Sequence, residues 1–202
     1  MKTWSAINGH MLIKENVGSV EQRTTLIHEI MKLYVNRDTK ILTRTNPGCW
    51  RTFAEVPTMN WLKDELMSVI DETINYFRGI DLAFNQNFKI DKPTITHWVN
   101  VNKTGGGNVL HNHQFHEFAA VYYLQAKDTG DLIFHNPGNL LRDCAEQAPG
   151  TTTMHYTPND GDLIIWPGWI PHEVEENPAS HERINFAFNI NLTSRHQVEN
   201  IT

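Results

Sequence analysis

The chain has 202 residues, 40% of them hydrophobic and 20% charged, with a formal net charge of −6. That length suffices for one full core, and the balance is that of an ordinary globular domain. The acidic total argues against a nucleic-acid grip, which needs a basic face, and no apolar run reaches the length of a membrane span.

Residues 1–10 lack the apolar core of a signal peptide. Two isolated cysteines, Cys49 and Cys144, make no disulfide framework, so a reducing, cytoplasmic setting is expected. Residues 19–36 read as a first helix. Ser19 caps it, Gln22 stands in the capping-box position, and Leu26, Ile27, Ile30, Leu33 and Tyr34 share one face. Residues 60–77 read as a second helix with Asn60 as cap and Gly79 as stop. Both apolar stripes are expected to pack against a sheet.

From Pro93 onward the text changes to short strands bounded by turn residues. The strands are expected at 94–101, 118–125, 131–135, 151–157, 163–166, 172–174 and 183–192. This is a mainly β, α+β reading: a jelly roll, or double-stranded β-helix, with N-terminal helices on one sheet. Residues 1–92 form a helical or irregular extension and residues 93–202 the core, together one integrated domain.

The chain carries 11 histidines, and histidine is the commonest metal ligand. The central string is His111-Asn112-His113-Gln114-Phe115-His116-Glu117. In a strand, His111 and His113 project from one face and reach one ion together. His172 follows a sharp turn through Pro167, Gly168 and Pro171 and opens a new strand, which makes it the candidate third ligand. An HxH pair alone is a weak signal. His116, His135, His155, His181 and His196 read as surface histidines or as groups behind the ligands. Glu117 is six residues from His111, roughly 20 Å along an extended strand, too far to join the set.

Arg183 opens the strand 183–192, eleven positions after His172. Alternation puts Arg183, Asn185, Ala187 and Asn189 on one face and Ile184, Phe186 and Phe188 on the other. A buried arginine among small and amide side chains needs an anion, and its planar fork suits a carboxylate. A rim salt bridge to Glu175 or Glu182 is the alternative. Trp98, Trp166 and Trp169 either wall a cavity or belong to the core. Loops 103–107 and 136–150 are expected to border its mouth.

These residues carry a resemblance. The segment 98–191 resembles the iron(II)/2-oxoglutarate-dependent oxygenase superfamily, and is most similar to a bacterial and phage group of 2OG-Fe(II) oxygenases with an HxH motif. The shared pieces are His111-Asn112-His113, Val121-Tyr122-Tyr123-Leu124, Gly130-Asp131-Leu132, the run from Gly161 to Pro167, His172, and Glu182-Arg183-Ile184 through Asn189. Gly48-Cys49-Trp50 resembles a Gly-Trp pair before the barrel of that group. The resemblance implies a catalytic Fe(II) held by His111, His113 and His172, with 2-oxoglutarate as cosubstrate. It implies that Arg183 holds the distal carboxylate, with Tyr123, Asn100 and Asn185 in the same pocket. It also implies a C–H oxidation that releases succinate and CO2, in a host's cytoplasm if the gene is a phage's. Two departures are visible. His113 stands at the usual carboxylate position, and the usual Arg-x-Ser is Arg183-Ile184-Asn185.

Three rivals stay open. A cupin-like three-histidine enzyme needs no 2-oxoglutarate. A zinc hydrolase would want Glu117 as its base. In a non-catalytic jelly-roll module the histidines are structural. The expected partners are an unidentified small-molecule or side-chain substrate, with no membrane and no nucleic acid indicated, in a monomer or homodimer.

Overall fold

A computed structural model describes residues 2–6, 9–36, 47–80, 89–90, 93–136, 153–192 and 194–195. The loop beyond Asn136, together with Cys144 and His196, lies outside them.

The strands after Pro93 are β5 (Thr94–Asn102), β6 (Asn108–His111), β7 (Phe118–Gln125), β8 (Leu132–His135), β9 (Thr153–Tyr156), β10 (Leu163–Pro167), β11 (His172–Val174) and β12 (Arg183–Asn191). They sort into two antiparallel sheets, with the chain crossing between the sheets at every step except the β8-β9 hairpin, the pattern of a jelly roll. The small sheet runs β6-β11-β8-β9. The large sheet contains β10-β7-β12-β5, as part of the seven-strand order β1-β2-β10-β7-β12-β5-β3. Its added strands are β1 (Lys2–Ala6), β2 (Gly9–Lys14) and β3 (Cys49–Thr52). Short β4 (Lys89–Ile90) and β13 (Ser194–Arg195) pair with each other.

Reading residues 1–92 as helical or irregular therefore omitted three strands that widen the large sheet. The reason is physical. A hairpin such as β1-β2 has little stability alone, and pairing of β2 with β10 and of β3 with β5 supplies the missing ladder.

Helix α1 (Val20–Val35) starts where its local signals place it. Ser19 accepts from the Gln22 amide, and the Gln22 side chain accepts from the Ser19 amide. Helix α2 (Asn60–Ile80) differs from expectation at both ends. A 3₁₀ turn, Pro57–Met59, runs directly into it, so Asn60 is helical and not a cap, and the helix continues through Gly79. A glycine interior to a helix costs only about 1 kcal/mol, which the surrounding turns can absorb. No described helix is long and apolar enough to cross a membrane.

The helices cover the outer face of the large sheet. Leu26 and Ile30 of α1 and Leu62, Leu66, Val69 and Ile70 of α2 are buried in one cluster with Val99, Tyr122, Ile165, Ile184, Phe186 and Phe188. A second cluster fills the space between the sheets, built from Ala119, Val121, Tyr123, Leu132, Phe134, Ile164, Trp166 and Ile170. The alternation along β12 is as expected: Ile184, Phe186 and Phe188 face the helices, while Asn185 and Ala187 line a cavity inside the barrel.

Candidate metal centre

His111 ends β6, and β11 brings His172 opposite it in register. His113 is not on the strand. The chain leaves β6 after His111 and turns through Phe115, whose φ of 73° is unusual for a residue with a side chain. The His116 amide closes this turn on the His113 carbonyl at 3.2 Å. The β10-β11 turn holds the whole segment: the His113 amide donates to the Gly168 carbonyl at 2.8 Å, and the Gly168 amide to the Glu117 carbonyl at 2.9 Å. Only glycine fits at 168, because a Cβ there would meet the His116 carbonyl oxygen at 2.2 Å. His111 and His113 do share a site, but through this turn and not through strand alternation.

The three ligand atoms all lie within 4.8 Å of one another, and the Nε2 atoms of His113 and His172 are 3.3 Å apart. An ion with nitrogen ligands at about 2.1 Å and right-angle spacing separates neighbouring donors by about 3 Å, so the cluster fits a first-row metal. Every Nδ1 is engaged by an oxygen. His111 Nδ1 meets the Val109 carbonyl at 2.7 Å, His172 Nδ1 the Ile170 carbonyl at 3.0 Å, and His113 Nδ1 the Asn189 Oδ1 at 2.5 Å. With the protons on Nδ1, all three Nε2 lone pairs are available to an ion.

Burial keeps these rings neutral. It lowers the pKa of His113 to about 4, with His111 adding repulsion. It holds His172 well below the ordinary histidine range, His111 and His113 adding to the effect, and lowers His111 as well. A neutral imidazole is the ligating form.

Four of the remaining histidines, His116, His135, His155 and His181, lie outside the cluster. His116 stands behind His113, with Nε2 3.1 Å from the Asn189 amide nitrogen and Nδ1 2.9 Å from Asn191 Oδ1. His135 pairs with Glu173, His155 lies 3.6 Å from Asp131, and His181 contacts the Lys127 carbonyl. Glu117 accepts from the Leu192 amide and is not in the cluster.

The cavity beside the triad is lined by Trp98, Trp166, Leu132, Val174 and a polar row across the large sheet. Register builds that row: Arg51 pairs with Asn100, Asn100 with Asn185, and Asn185 with Tyr123. Its members are linked, since Arg51 Nε donates to Asn100 Oδ1 at 3.3 Å and Asn100 Nδ2 to Asn185 Oδ1 at 3.0 Å. Arg51 also lies over the Trp98 ring, 5.0 Å from its centroid. Sequence reasoning missed Arg51. The alternation Cys49, Arg51 on a strand beside β5 was the available signal, but it becomes legible only once β3 is known to be a strand. Trp169 is exposed and outside the cavity lining.

Arg183 is fully buried and does not line the cavity. Its Nη1 donates to the carbonyls of Thr129 and Glu175, and its Nη2 to those of Gly106 and Glu175. The expected rim salt bridge to Glu175 or Glu182 is not formed among the described residues. The guanidinium fork holds backbone, and the contact to Glu175 is to its carbonyl and not its carboxylate. Loop 103–107, expected at the mouth, packs instead on Pro47 and Asn177 and supplies one of these acceptors. Of the five guanidinium N–H groups, only Nε–H finds no acceptor among the described residues. A buried cation with one donor left open among the described residues is the feature an anion would satisfy. The buried Tyr123 hydroxyl is its electrostatic neighbour; burial raises the phenol pKa, and Arg183 pulls it back.

Residues 96–189 match the model of a family described as "Putative 2OG-Fe(II) oxygenase". That stretch holds all three histidines, so the part of the chain that carries the candidate metal centre is the part similar to the Fe(II)/2-oxoglutarate-dependent oxygenases. No curated protein matches the chain significantly. Among solved structures, the fold is similar to a Pseudomonas putida prolyl-4-hydroxylase, at TM-score 0.59 and 16% identity over 90% of this chain and 91% of that one. It is similar to a Trichoplax adhaerens prolyl hydroxylase in complex with a hypoxia inducible factor peptide fragment, at 0.60 and 16% over 89% and 82%. It is also similar to HygX from Streptomyces hygroscopicus with nickel, 2-oxoglutarate and hygromycin B bound, at 0.61 and 14% over 91% and 83%. At these identities the likeness shows the shared double-stranded β-helix.

Proposed function

We propose that the protein is a 2-oxoglutarate-dependent dioxygenase that oxidises a C–H bond of its substrate, with release of succinate and CO2. The observation that carries this reading is the triad itself: one ring nitrogen from each of three histidines converges while each Nδ1 is held by an oxygen, inside a double-stranded β-helix whose residues 96–189 match the oxygenase family model. An Fe(II) bound by these residues would supply the activation of dioxygen with 2-oxoglutarate as cosubstrate. His111, His113 and His172 hold the ion. Arg183, which lies behind the cavity wall, contributes its charge to the distal carboxylate of 2-oxoglutarate, and Tyr123, which lines the cavity, contributes a hydroxyl donor. Asn100 and Asn185 fix the wall between that end and the metal. Trp98 and Trp166 exclude water from the cavity. The substrate is a small molecule or a protein side chain, the two kinds bound by the neighbours.

The test is anaerobic loading with Fe(II), followed by oxygen and 2-oxoglutarate. Stoichiometric iron together with equal production of succinate and CO2 supports the reading. Stoichiometric metal with no 2-oxoglutarate binding would instead select a three-histidine enzyme of the cupin kind, a reading favoured by the four Arg183 donors already committed to backbone. Absence of metal binding would leave the histidines structural.

A further inference from the structure

The three ligands are not supported alike. His111 and His172 each rest on the backbone carbonyl two residues earlier, that of Val109 and of Ile170. His113 rests on side chains. Its Nδ1 meets Asn189 Oδ1 at 2.5 Å, Asn189 Nδ2 meets His116 Nε2 at 3.1 Å, and His116 Nδ1 meets Asn191 Oδ1 at 2.9 Å. Both asparagines belong to β12, two residues apart and so on one face.

We propose that Asn189, held in orientation by His116 and Asn191, is a positioning residue that sets the tautomer of His113 and strengthens it as a metal ligand. The inference rests on the metal-centre reading above. An imidazole turned or protonated the wrong way cannot ligate through Nε2, and His113 lies on a turn, where no strand ladder fixes it. The relay removes that freedom from its outer end inward. With Asn191 Oδ1 as acceptor, His116 carries its proton on Nδ1 and offers Nε2 as an acceptor. Only the amide nitrogen of Asn189 can donate there, so its Oδ1 must face His113. His113 then carries its proton on Nδ1, and Nε2 is left for the ion. With Asn189 turned over, His113 would face a donor and would have to place its own proton on Nε2.

The donors of this chain all point the same way, outward from the metal, and hydrogen bonds so aligned polarise one another. Electron density is pushed toward His113 Nε2, which raises ligand basicity. That contribution matters here because three neutral imidazoles leave both charges of Fe(II) uncompensated.

The test is metal affinity of the full chain, measured by titrating Co(II) against a competing chelator, with the cobalt ligand-field spectrum as second readout and circular dichroism as fold control. Asn189→Leu removes the acceptor at similar volume, and its dissociation constant should rise by about 10- to 100-fold, the usual range for losing such a partner, with a changed cobalt spectrum. Asn189→Asp restores an acceptor and should return affinity to the wild-type level or tighter. His116→Ala, at a half-buried position one step removed from the ligand, should weaken binding less than Asn189→Leu, and His116→Gln, which can still accept from Asn189, should recover most of the loss. Folded Asn189→Leu with affinity within twofold of wild type overturns the proposal. So does Asn189→Asp no better than Asn189→Leu, or His116→Ala and His116→Gln both indistinguishable from wild type. His111→Ala is the control: if it too binds like wild type, the metal centre itself is misassigned, whereas its loss of binding alongside an unaffected Asn189→Leu sinks the relay alone.

Discussion

The two faces of strand β12 do opposite work. The outer face, Ile184, Phe186 and Phe188, is buried against α1 and α2 and is wholly apolar. The inner face, Arg183, Asn185, Ala187 and Asn189, is polar or small, and runs from a buried guanidinium at one end to the support of a metal ligand at the other. One backbone thus carries stability on one side and chemistry on the other, with a period of two residues separating them. Changes on the outer face should move stability without touching the metal. Changes on the inner face should move ligand binding, and should cost stability only where a buried polar partner is stranded.

The largest expected effect is on the inner side. His172→Ala and His113→Ala should each abolish stoichiometric iron by metal analysis, while His113→Asp keeps it and His135→Ala, outside the cluster, changes nothing. Iron retained in His113→Ala would break the assignment. Next is the outer face. Phe186→Ala should destabilise the fold by about 3–5 kcal/mol, the scale of a large aromatic deletion, read by urea denaturation. The fraction that remains folded should bind metal as wild type does.

Arg183→Ala tests the boundary between the two faces. It should weaken 2-oxoglutarate binding by about 1.5–3 kcal/mol in calorimetry, the range for a charge-assisted hydrogen bond, and leave iron content near stoichiometric. It should also lower the melting temperature, because the carbonyls of Thr129 and Glu175 lose the guanidinium as donor and that of Gly106 keeps only the Asn177 amide. Unchanged 2-oxoglutarate affinity with a lowered melting temperature would make Arg183 a structural residue only. Tyr123→Phe should cost about 0.5–1.5 kcal/mol of 2-oxoglutarate affinity, the worth of one neutral hydrogen bond, with little change in melting temperature.

The smallest effect is a pH dependence of the metal-free protein. The ligand histidines have folded pKa values below the unfolded value of about 6.5, with His113 at about 4. Between those values the unfolded chain binds more protons than the folded one, so stability falls as pH falls through that window. The melting temperature should be flat above about pH 6.5, and should drop toward pH 4. Bound metal should hold off the loss by competing with those protons. A melting temperature that rises on acidification would contradict burial of neutral rings.

The local signals proved sufficient wherever neighbours in sequence are also neighbours in space. The Ser19-Gln22 capping box closes within one turn, β7 spans Phe118–Gln125 as its apolar run indicates, and the alternation along β12 assigns each side chain to its face. Failures cluster where the partner is distant. Strands β1, β2 and β3 exist because the barrel offers them an edge. Asn60 is the exception, helical because the 3₁₀ turn at Pro57–Met59 runs straight into it. His113 reaches the site on a turn held by Gly168, a contact of residues 55 positions apart.

What the sequence alone determined was the chemistry available: three histidines in the right order, a basic residue and a tyrosine on flanking strands, and a barrel to present them. The histidine order and the face of Arg183 follow from residue type and from a side-chain period of two, which any short segment displays; the tyrosine's role is what the resemblance implied, and His113 met the site by a turn that the period does not encode. What only the tertiary structure decided was how each group is engaged. The Arg183 fork closes on carbonyls from three separate segments, Arg51 enters the cavity from outside the barrel strands, and Asn189 reaches back to His113 across 76 positions. Hydrogen-bond partners are set by ångström-scale approach of segments remote in the chain, and no local pattern of residues encodes that approach.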